Sequence, residues 1–218
     1  MSERVVSVNV GVPREVPHAG STVSTGIFKS PVDGPVVLGP EGFAGDGQAD
    51  RSVHGGPHMA AYLYSADDYA WWSAELGREL PPATFGENLT VTGFGDADVR
   101  VGDRLRIGPV LVEATIPRTP CFKLGIRMGD KRFVPRFAEA GRLGFYVRVL
   151  ETGPVTAGDA VTLEARGPHD VTMAFLGRLH RTGGTAEELR AALAPAELLH
   201  PRWRTWLETR LSELSPGG

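Results

Sequence analysis

Short alternating runs of apolar and polar residues, each punctuated by glycine or proline, occupy roughly the first three quarters of the chain. Val5, Val6, Val8 and Val10 form a β-type run that Gly11-Val12-Pro13-Arg14 closes with turn chemistry. Residues 24–29 and 36–38 flank Pro31-Val32-Asp33-Gly34-Pro35 and read as two strands joined by a turn. Further strands are expected at residues 60–64, at 110–114, at 145–150, and from Phe85 to Val91 with Glu87 and Asn88 at the entrance. Residues 99–107 and 155–163 look alike, each with a Gly-Asp turn feeding a period-2 strand. Many short strands with Gly/Pro turns predict a mainly β fold: a β-barrel of mostly antiparallel character with a few inserted helices.

Helical spacing enters at three places. Ser65-Ala66-Asp67-Asp68 has the character of an N-cap and an acidic first turn, for a helix to about residue 76 with Tyr69, Trp72 and Leu76 on one face. Pro81-Pro82 breaks it, and a second helix is expected near 131–140, closed by Gly141. After Gly167-Pro168 the period stays helical: Asp170 can cap 171–179, Thr185-Ala186-Glu187-Glu188 has the capping-box pattern for a helix to 193, and Trp203, Trp206, Leu207, Leu211 and Leu214 form a stripe. The expected division is a barrel domain over 1–166 and a three-helix appendage over 167–218. The appendage balances six arginines against six acids, unlike a DNA-reading helix pair.

Composition narrows the function. With 23 Lys and Arg against 26 Asp and Glu, the net charge of −3 lacks the basic footprint of a nucleic-acid binder. No apolar run has the length of a leader's h-region or a membrane span, so a cytoplasmic location, with neither nucleic acid nor membrane as partner, is expected. A single cysteine rules out an intrachain disulfide, a CxxC zinc site and a self-contained four-cysteine iron–sulfur cluster. No Gly-x-Gly-x-x-Gly follows a strand, so electrons for any redox chemistry must come from outside.

That cysteine lies in Pro117-Arg118-Thr119-Pro120-Cys121-Phe122-Lys123-Leu124-Gly125. The two prolines restrict the backbone, and Arg118 and Lys123 favour thiolate, the form that attacks electrophiles and binds metals. A lone cysteine is also often a small buried hydrophobe, and the residues alone leave both readings open. The stretch from Gly42 to Pro57 is rich in glycine and carries Asp46, Asp50, Arg51 and His54, the makings of an anion-binding loop. A long hairpin loop satisfying its own backbone has the same composition. His54 and His58 stand four apart, but the glycines and Pro57 between them argue against a helix that would pair them on a metal.

Three motifs occur in order: Arg51-Ser52-Val53-His54-Gly55-Gly56, Phe85-Gly86-Glu87-Asn88-Leu89-Thr90-Val91, and the Cys121 stretch. With them the chain, from about Val5 to about Leu214, resembles the MOSC domain family (molybdenum cofactor sulfurase C-terminal), and within it the YiiM-type members with a C-terminal three-helix domain. The resemblance implies a β-barrel that binds a pyranopterin molybdenum cofactor, with Cys121 as ligand to the metal. It implies cofactor contacts from Arg51, Gly55, Gly56, Arg118, Lys29 and Lys123, with Glu87 and Asn88 as polar groups near the metal or pterin and His54 or Asp46 as proton donor. It further implies reduction of N-hydroxylated compounds, such as hydroxylaminopurine-type base analogues, to amines, fed by an external flavin or iron–sulfur electron-donor protein. Assembly is left open, a homodimer included. One departure stands out: His58-Met59 replaces the Asp-Lys usual in the family, removing a cation. Two competing readings are a cofactor or sulfur carrier without turnover, and a metal-free enzyme with Cys121 as nucleophile and His54 as base.

Overall fold

The computed structural model describes residues 3–47, 49 and 55–214. In chain order these form β1 (Val5–Val10), β2 (Arg14–His18), β3 (Ser21–Thr25), β4 (Ser30–Pro31), β5 (Val36–Gly39), β6 (Gly42–Phe43), β7 (Ala61–Ser65), α1 (Ala66–Leu76), β8 (Leu89–Val91), β9 (Arg104–Ile107) and β10 (Val110–Pro117). Then come α2 (Phe122–Met128), α3 (Phe133–Ala140), β11 (Phe145–Glu151), β12 (Gly153–Val155), β13 (Val161–Ala165), α4 (Met173–Thr182), α5 (Ala186–Ala192) and α6 (Pro201–Leu214). One turn of 3-10 helix, Pro57–Met59, leads into β7.

The main sheet has the order β13-β9-β10-β11-β7-β8-β1-β4, with β12-β5-β6 and the hairpin β2-β3 as smaller sheets. Its pairs are antiparallel except β7 with β8, which are linked through α1 as a parallel pair requires. The expected barrel is not what the ladders form. They give an open order, and the start of β1 is joined to the entrance of β13 by an isolated bridge between Arg4 and Ala160 and by backbone hydrogen bonds from Val5 N–H to the Asp159 carbonyl, Gly158 N–H to the Val5 carbonyl and Val161 N–H to the Glu3 carbonyl. The result is a sheet-rich mixed fold.

The two Gly-Asp turns behave alike for a physical reason. Asp103 Oδ2 accepts from the Arg100 N–H and Asp159 Oδ2 from the Thr156 N–H, each carboxylate bracing its own turn three residues back. The strands they feed, β9 and β13, lie side by side, with Ile107 opposite Val161.

Several expectations shift. Residues 24–29 and 36–38 do not pair with one another: β3 pairs with β2, β4 with β1, and β5 with β12. The hairpin β2-β3 begins where the sequence suggested only a closing turn. α4 starts at Met173 and is capped by Thr172, whose hydroxyl accepts from Phe175 N–H, while Asp170 pairs instead with Arg100. The capping box at Thr185 and Glu188 forms as expected. On α6, Trp203 and Leu207 are buried but Leu214 is exposed.

Two apolar clusters hold the fold. One runs from Val8, Leu105 and Val112 of the sheet into Leu176, Leu179, Leu189 and Leu207 of α4–α6, so the C-terminal helices share a core with the strands. The other is aromatic: Tyr64, Tyr69, Trp72, Phe85, Phe133 and Phe137 interlock between β7, α1 and α3. Trp72 stacks on Phe137 at 5.6 Å, and its indole N–H donates to the Tyr64 hydroxyl.

Candidate functional site

β10 is buried along its whole length and delivers the chain to Arg118 at the end of the sheet. There the Arg118 N–H donates to the Gly144 carbonyl, and the Tyr62 hydroxyl donates to the Leu143 carbonyl at 2.6 Å. The 143–144 loop that receives them is itself clamped by Asp96, whose two oxygens accept the Leu143 and Gly144 N–H groups. Gly144 is at φ +67, where a Cβ would come within 2.5 Å of the Leu63 carbonyl oxygen, so no side chain fits. Burial pushes the Asp96 carboxyl up to about 7, against the two N–H donors that favour its charge.

Arg118 is buried, its guanidinium 5.0 Å from the Tyr62 ring and 5.5 Å from Phe137, with Nη1 donating to the Tyr62 hydroxyl. Burial opposes its charge, yet the phenols of Tyr62 and Tyr146 raise its pKa, so it stays cationic. Those phenols remain neutral, because burial pushes both up.

Cys121 follows three residues on. The stretch expected to be a loop is a helix start: Cys121 occupies the N-cap of α2 with extended backbone, and its side chain makes no capping bond. The thiol is therefore partly exposed and uncommitted.

Lys29, Asp46, Asn88, Arg118, Cys121 and Lys123, six of the expected site residues, line one cavity of about 100 Å3 together with Tyr62 and Tyr146. The far wall comes from residues 25–27 and from Gly47 and Ala49. Glycine is needed there: a Cβ on Gly26 would lie 2.5 Å from the Gly47 carbonyl oxygen, because the two loops meet backbone to backbone. Lys29 is buried and ion-paired with Asp46. Burial lowers its pKa, and the Asp46 carboxylate works against that fall. Asp46 also accepts from the Gly11 N–H and from Asn88 Nδ2, and Asn88 Oδ1 accepts from the Tyr62 N–H.

Other expected residues lie elsewhere. Glu87 points the opposite way from Asn88, fully buried, and its Oε1 accepts from the Tyr69 hydroxyl, the Ala83 N–H and the Thr90 hydroxyl. It does not line the cavity, and burial raises its pKa. Gly55 and Gly56 precede the 3-10 turn and are not on the cavity wall either. Arg51 and His54 lie outside the described residues. His58 meets His200 edge-on at 5.8 Å, and no group of three or more metal-ligating side chains occurs among the described residues. Sequence reasoning missed Tyr62 and Tyr146, which read only as strand residues.

A second cavity, about 450 Å3, shares Met59, Thr119, Cys121 and Tyr146 with the first and is completed by His180, His200, Arg202, Trp203 and Trp206 from the C-terminal region. Cys121 stands in the wall between a polar chamber and an aromatic one.

Residues 50–162 match the family model described as MOSC domain. The chain is 41% identical over 176 residues to the uncharacterized protein YflK of Bacillus subtilis, covering 81% of this chain and 80% of that one. The chain belongs to the MOSC domain family. Among solved MOSC structures, YiiM of Geobacillus stearothermophilus superposes with a TM-score of 0.81 at 28% identity, covering 96% of this chain and 99% of that one, which makes this a YiiM-type MOSC protein. A protein named reductase from Gibberella moniliformis is 38% identical over 151 residues, 67% of this chain, and the match spans 27% of that longer protein. Among the described residues of this MOSC protein, no helix is long and apolar enough to cross a membrane.

Proposed function

We propose that this MOSC protein holds a molybdenum cofactor through Cys121 and reduces N-hydroxylated compounds to the corresponding amines. The observation that carries the reading is the convergence of an uncommitted Cys121 thiol with three cations, Lys29, Arg118 and Lys123, and a single carboxylate on one cavity. That donor set fits the group: a soft sulfur for a transition metal, and an excess of positive charge for a phosphate-bearing pterin. When bound, the cofactor would supply the oxygen-abstracting redox chemistry.

The chain's own residues bind, orient and deliver protons. Cys121 would ligate the metal. Arg118, fixed by Tyr62 and Gly144, would hold anionic oxygen atoms from a rigid position, while Lys123 on α2 would add a more adaptable charge. The net conversion consumes two electrons and two protons, breaks the N–O bond, and yields amine and water. Lys29 is the group best placed to give a proton from Nζ, since burial lowers its pKa and Asp46 keeps it aimed. Asp46, with both oxygens occupied as acceptors, holds Lys29 rather than acting as the acid. The electrons come from an external flavin or iron–sulfur protein.

The test is molybdenum content of wild type and Cys121→Ala protein from a cofactor-producing host, with turnover of an aromatic hydroxylamine driven by reduced viologen. Near-stoichiometric metal and amine formation in wild type, both lost in Cys121→Ala, are expected. Metal bound without turnover would replace this reading by a carrier function, and metal in neither protein would refute the cofactor itself.

A further inference from the structure

Each turnover proposed above draws two electrons from another protein, which must approach Cys121 from outside. The surface beside Cys121 departs from the rest of the chain in charge. Residues 122–136 hold five Lys and Arg against one acid, in a chain whose net charge is −3. Arg132 is paired with Asp130 and Arg136 with Glu75, while Lys123 faces the polar chamber. Arg127 and Lys131 have no carboxylate partner among the described residues, and neither has Arg14, which faces them from β2.

The hairpin β2-β3 brings that third cation to α2. Arg14 and His18 are four residues apart on one strand, so their side chains share a face, and Glu15 points from the other. The His18 ring stacks on Phe122 at 4.9 Å. The Arg14 guanidinium lies 3.6 Å from the centre of the Phe28 ring, and the Arg127 guanidinium 5.2 Å from the same ring. Two like charges thus share one aromatic ring with no carboxylate between them. Burial lowers the Arg127 pKa and the charge on Arg14 adds to the fall, while the Ala83 and Thr84 carbonyls hold the Arg127 guanidinium in place. Lys131 is exposed and packs its backbone on α2, where a Cβ at Gly125 would lie 3.2 Å from the Lys131 Cα. At the Cys121 end stands an apolar spot: Phe122 is 46% exposed and is bonded directly to Cys121. An exposed aromatic ring flanked by unpaired cations is the make-up of a weak, charge-steered protein interface. Three cations are too few for a nucleic-acid track, but they match a compact cluster of carboxylates.

We infer that the face formed by Arg14, Phe122, Arg127 and Lys131 docks a small acidic one-electron carrier protein, its carboxylates meeting the three cations and its redox centre seated over Phe122. Two reduced carriers each give up one electron and are oxidised. The N-hydroxylated substrate takes both electrons with two protons, and its N–O bond breaks to give amine and water. The purpose of the face rests on the proposed reductase reading, but docking itself is measured without the cofactor.

Full-length protein from a host lacking the cofactor pathway is titrated by calorimetry with oxidised plant-type ferredoxin, an acidic carrier, and with basic cytochrome c. Ferredoxin should bind and lose at least about tenfold in affinity between about 20 and about 300 mM salt, and cytochrome c should not bind. Arg14→Glu with Lys131→Glu should weaken ferredoxin binding at least about tenfold. Lys131→Glu alone, at an exposed position, should act in the same direction, and Arg190→Glu on the exposed side of α5 should leave binding unchanged. In molybdenum-loaded protein the double variant should lose at least about tenfold in kcat/KM for reduced ferredoxin and keep its viologen-driven turnover, with circular dichroism checking the fold. No ferredoxin binding at low salt, binding indifferent to salt, or unchanged affinity in both charge-reversal variants would overturn the proposal. So would a DNA duplex binding as tightly as ferredoxin, which would make the face a general polyanion site. Ferredoxin binding that follows these expectations in a protein that never takes up molybdenum would leave the docking face standing while the reductase reading falls. Viologen-driven turnover without ferredoxin binding would do the reverse.

Discussion

Glu87 and Asn88 are neighbours in sequence and point to opposite sides of the same segment, and the two sides have different work. Asn88 reaches the cavity, steering Asp46 and through it Lys29. Glu87 turns into the aromatic cluster, where three donors converge on one carboxylate oxygen. Both environments are buried, polar and hydrogen-bonded. What separates them is what the groups face: Lys29 keeps its ammonium on a cavity wall, whereas Glu87 has only protein around it. Burial and a shifted pKa therefore do not by themselves mark a functional carboxylate.

Substitutions on the cavity side should remove function and spare the fold. The largest effect is expected from Cys121→Ala: molybdenum content falling at least tenfold, measured by elemental analysis, with the thermal midpoint unchanged because the thiol caps nothing. Next is the pair Lys29→Met with Asp46→Asn, which removes both charges together and so leaves neither stranded. Turnover should fall about a hundredfold, the usual weight of a positioned acid, with metal content retained. Its pH–rate profile should lose the limb that belongs to a lowered lysine.

On the sealed side the order reverses. Glu87→Ala strands the Tyr69 hydroxyl, the Thr90 hydroxyl and the Ala83 N–H, and should cost about 3 kcal/mol or more in denaturant unfolding. Metal uptake by the protein that remains folded should be normal. Glu87→Gln, which keeps one acceptor oxygen, should recover most of that loss. If Glu87→Gln abolished metal binding while leaving stability intact, the distinction between the two sides would collapse.

The last prediction is a pH dependence. Asp96 has a folded-state pKa of about 7 against an ordinary value of 3.8, so the native state holds a proton that the unfolded chain releases. Its contribution to stability is full below about pH 4 and declines as pH rises to about 7, by at most about 4 kcal/mol at 1.36 kcal/mol per unit. Unfolding of Asp96→Asn measured at pH 5 and pH 7.5 should show a shallower decline than wild type.

Local chemistry made much of this legible in the sequence. The Ser65 cap, the Thr185 capping box and the paired Gly-Asp turns are set by side chains within a few residues of the backbone they satisfy. Strand partners were not legible in the same way: β4 and β5 each pair with strands far from the turn that joins them. Nothing local distinguishes that from a hairpin. α2 was hidden because Pro120 and Cys121 read as rigid loop, when proline before an N-cap is equally compatible with a helix start. Six residues that line the candidate cavity could be named in advance, four of them, Asn88, Arg118, Cys121 and Lys123, from motifs that carry chemistry. Tyr62 and Tyr146 could not, since an aromatic residue in a strand looks the same whether it faces a core or a cavity. The His180, Trp203 and Trp206 wall depends on two helices, α4 and α6, separated by eighteen residues, a relation visible only after folding.

The pairing of the start of β1 with residues 158–161 has a consequence for the order in which the chain becomes a protein. Its N-terminal strand also pairs with β8, more than eighty residues on, so during synthesis β1 emerges long before either partner. Such distant pairings make closure of the sheet slow compared with the helices. The polar chamber has all its described walls once residue 146 has left the ribosome, while the aromatic chamber waits for Trp206. A nascent chain thus passes through a stage with a Cys121 pocket but no C-terminal wall, and the polar chamber has its widest opening then.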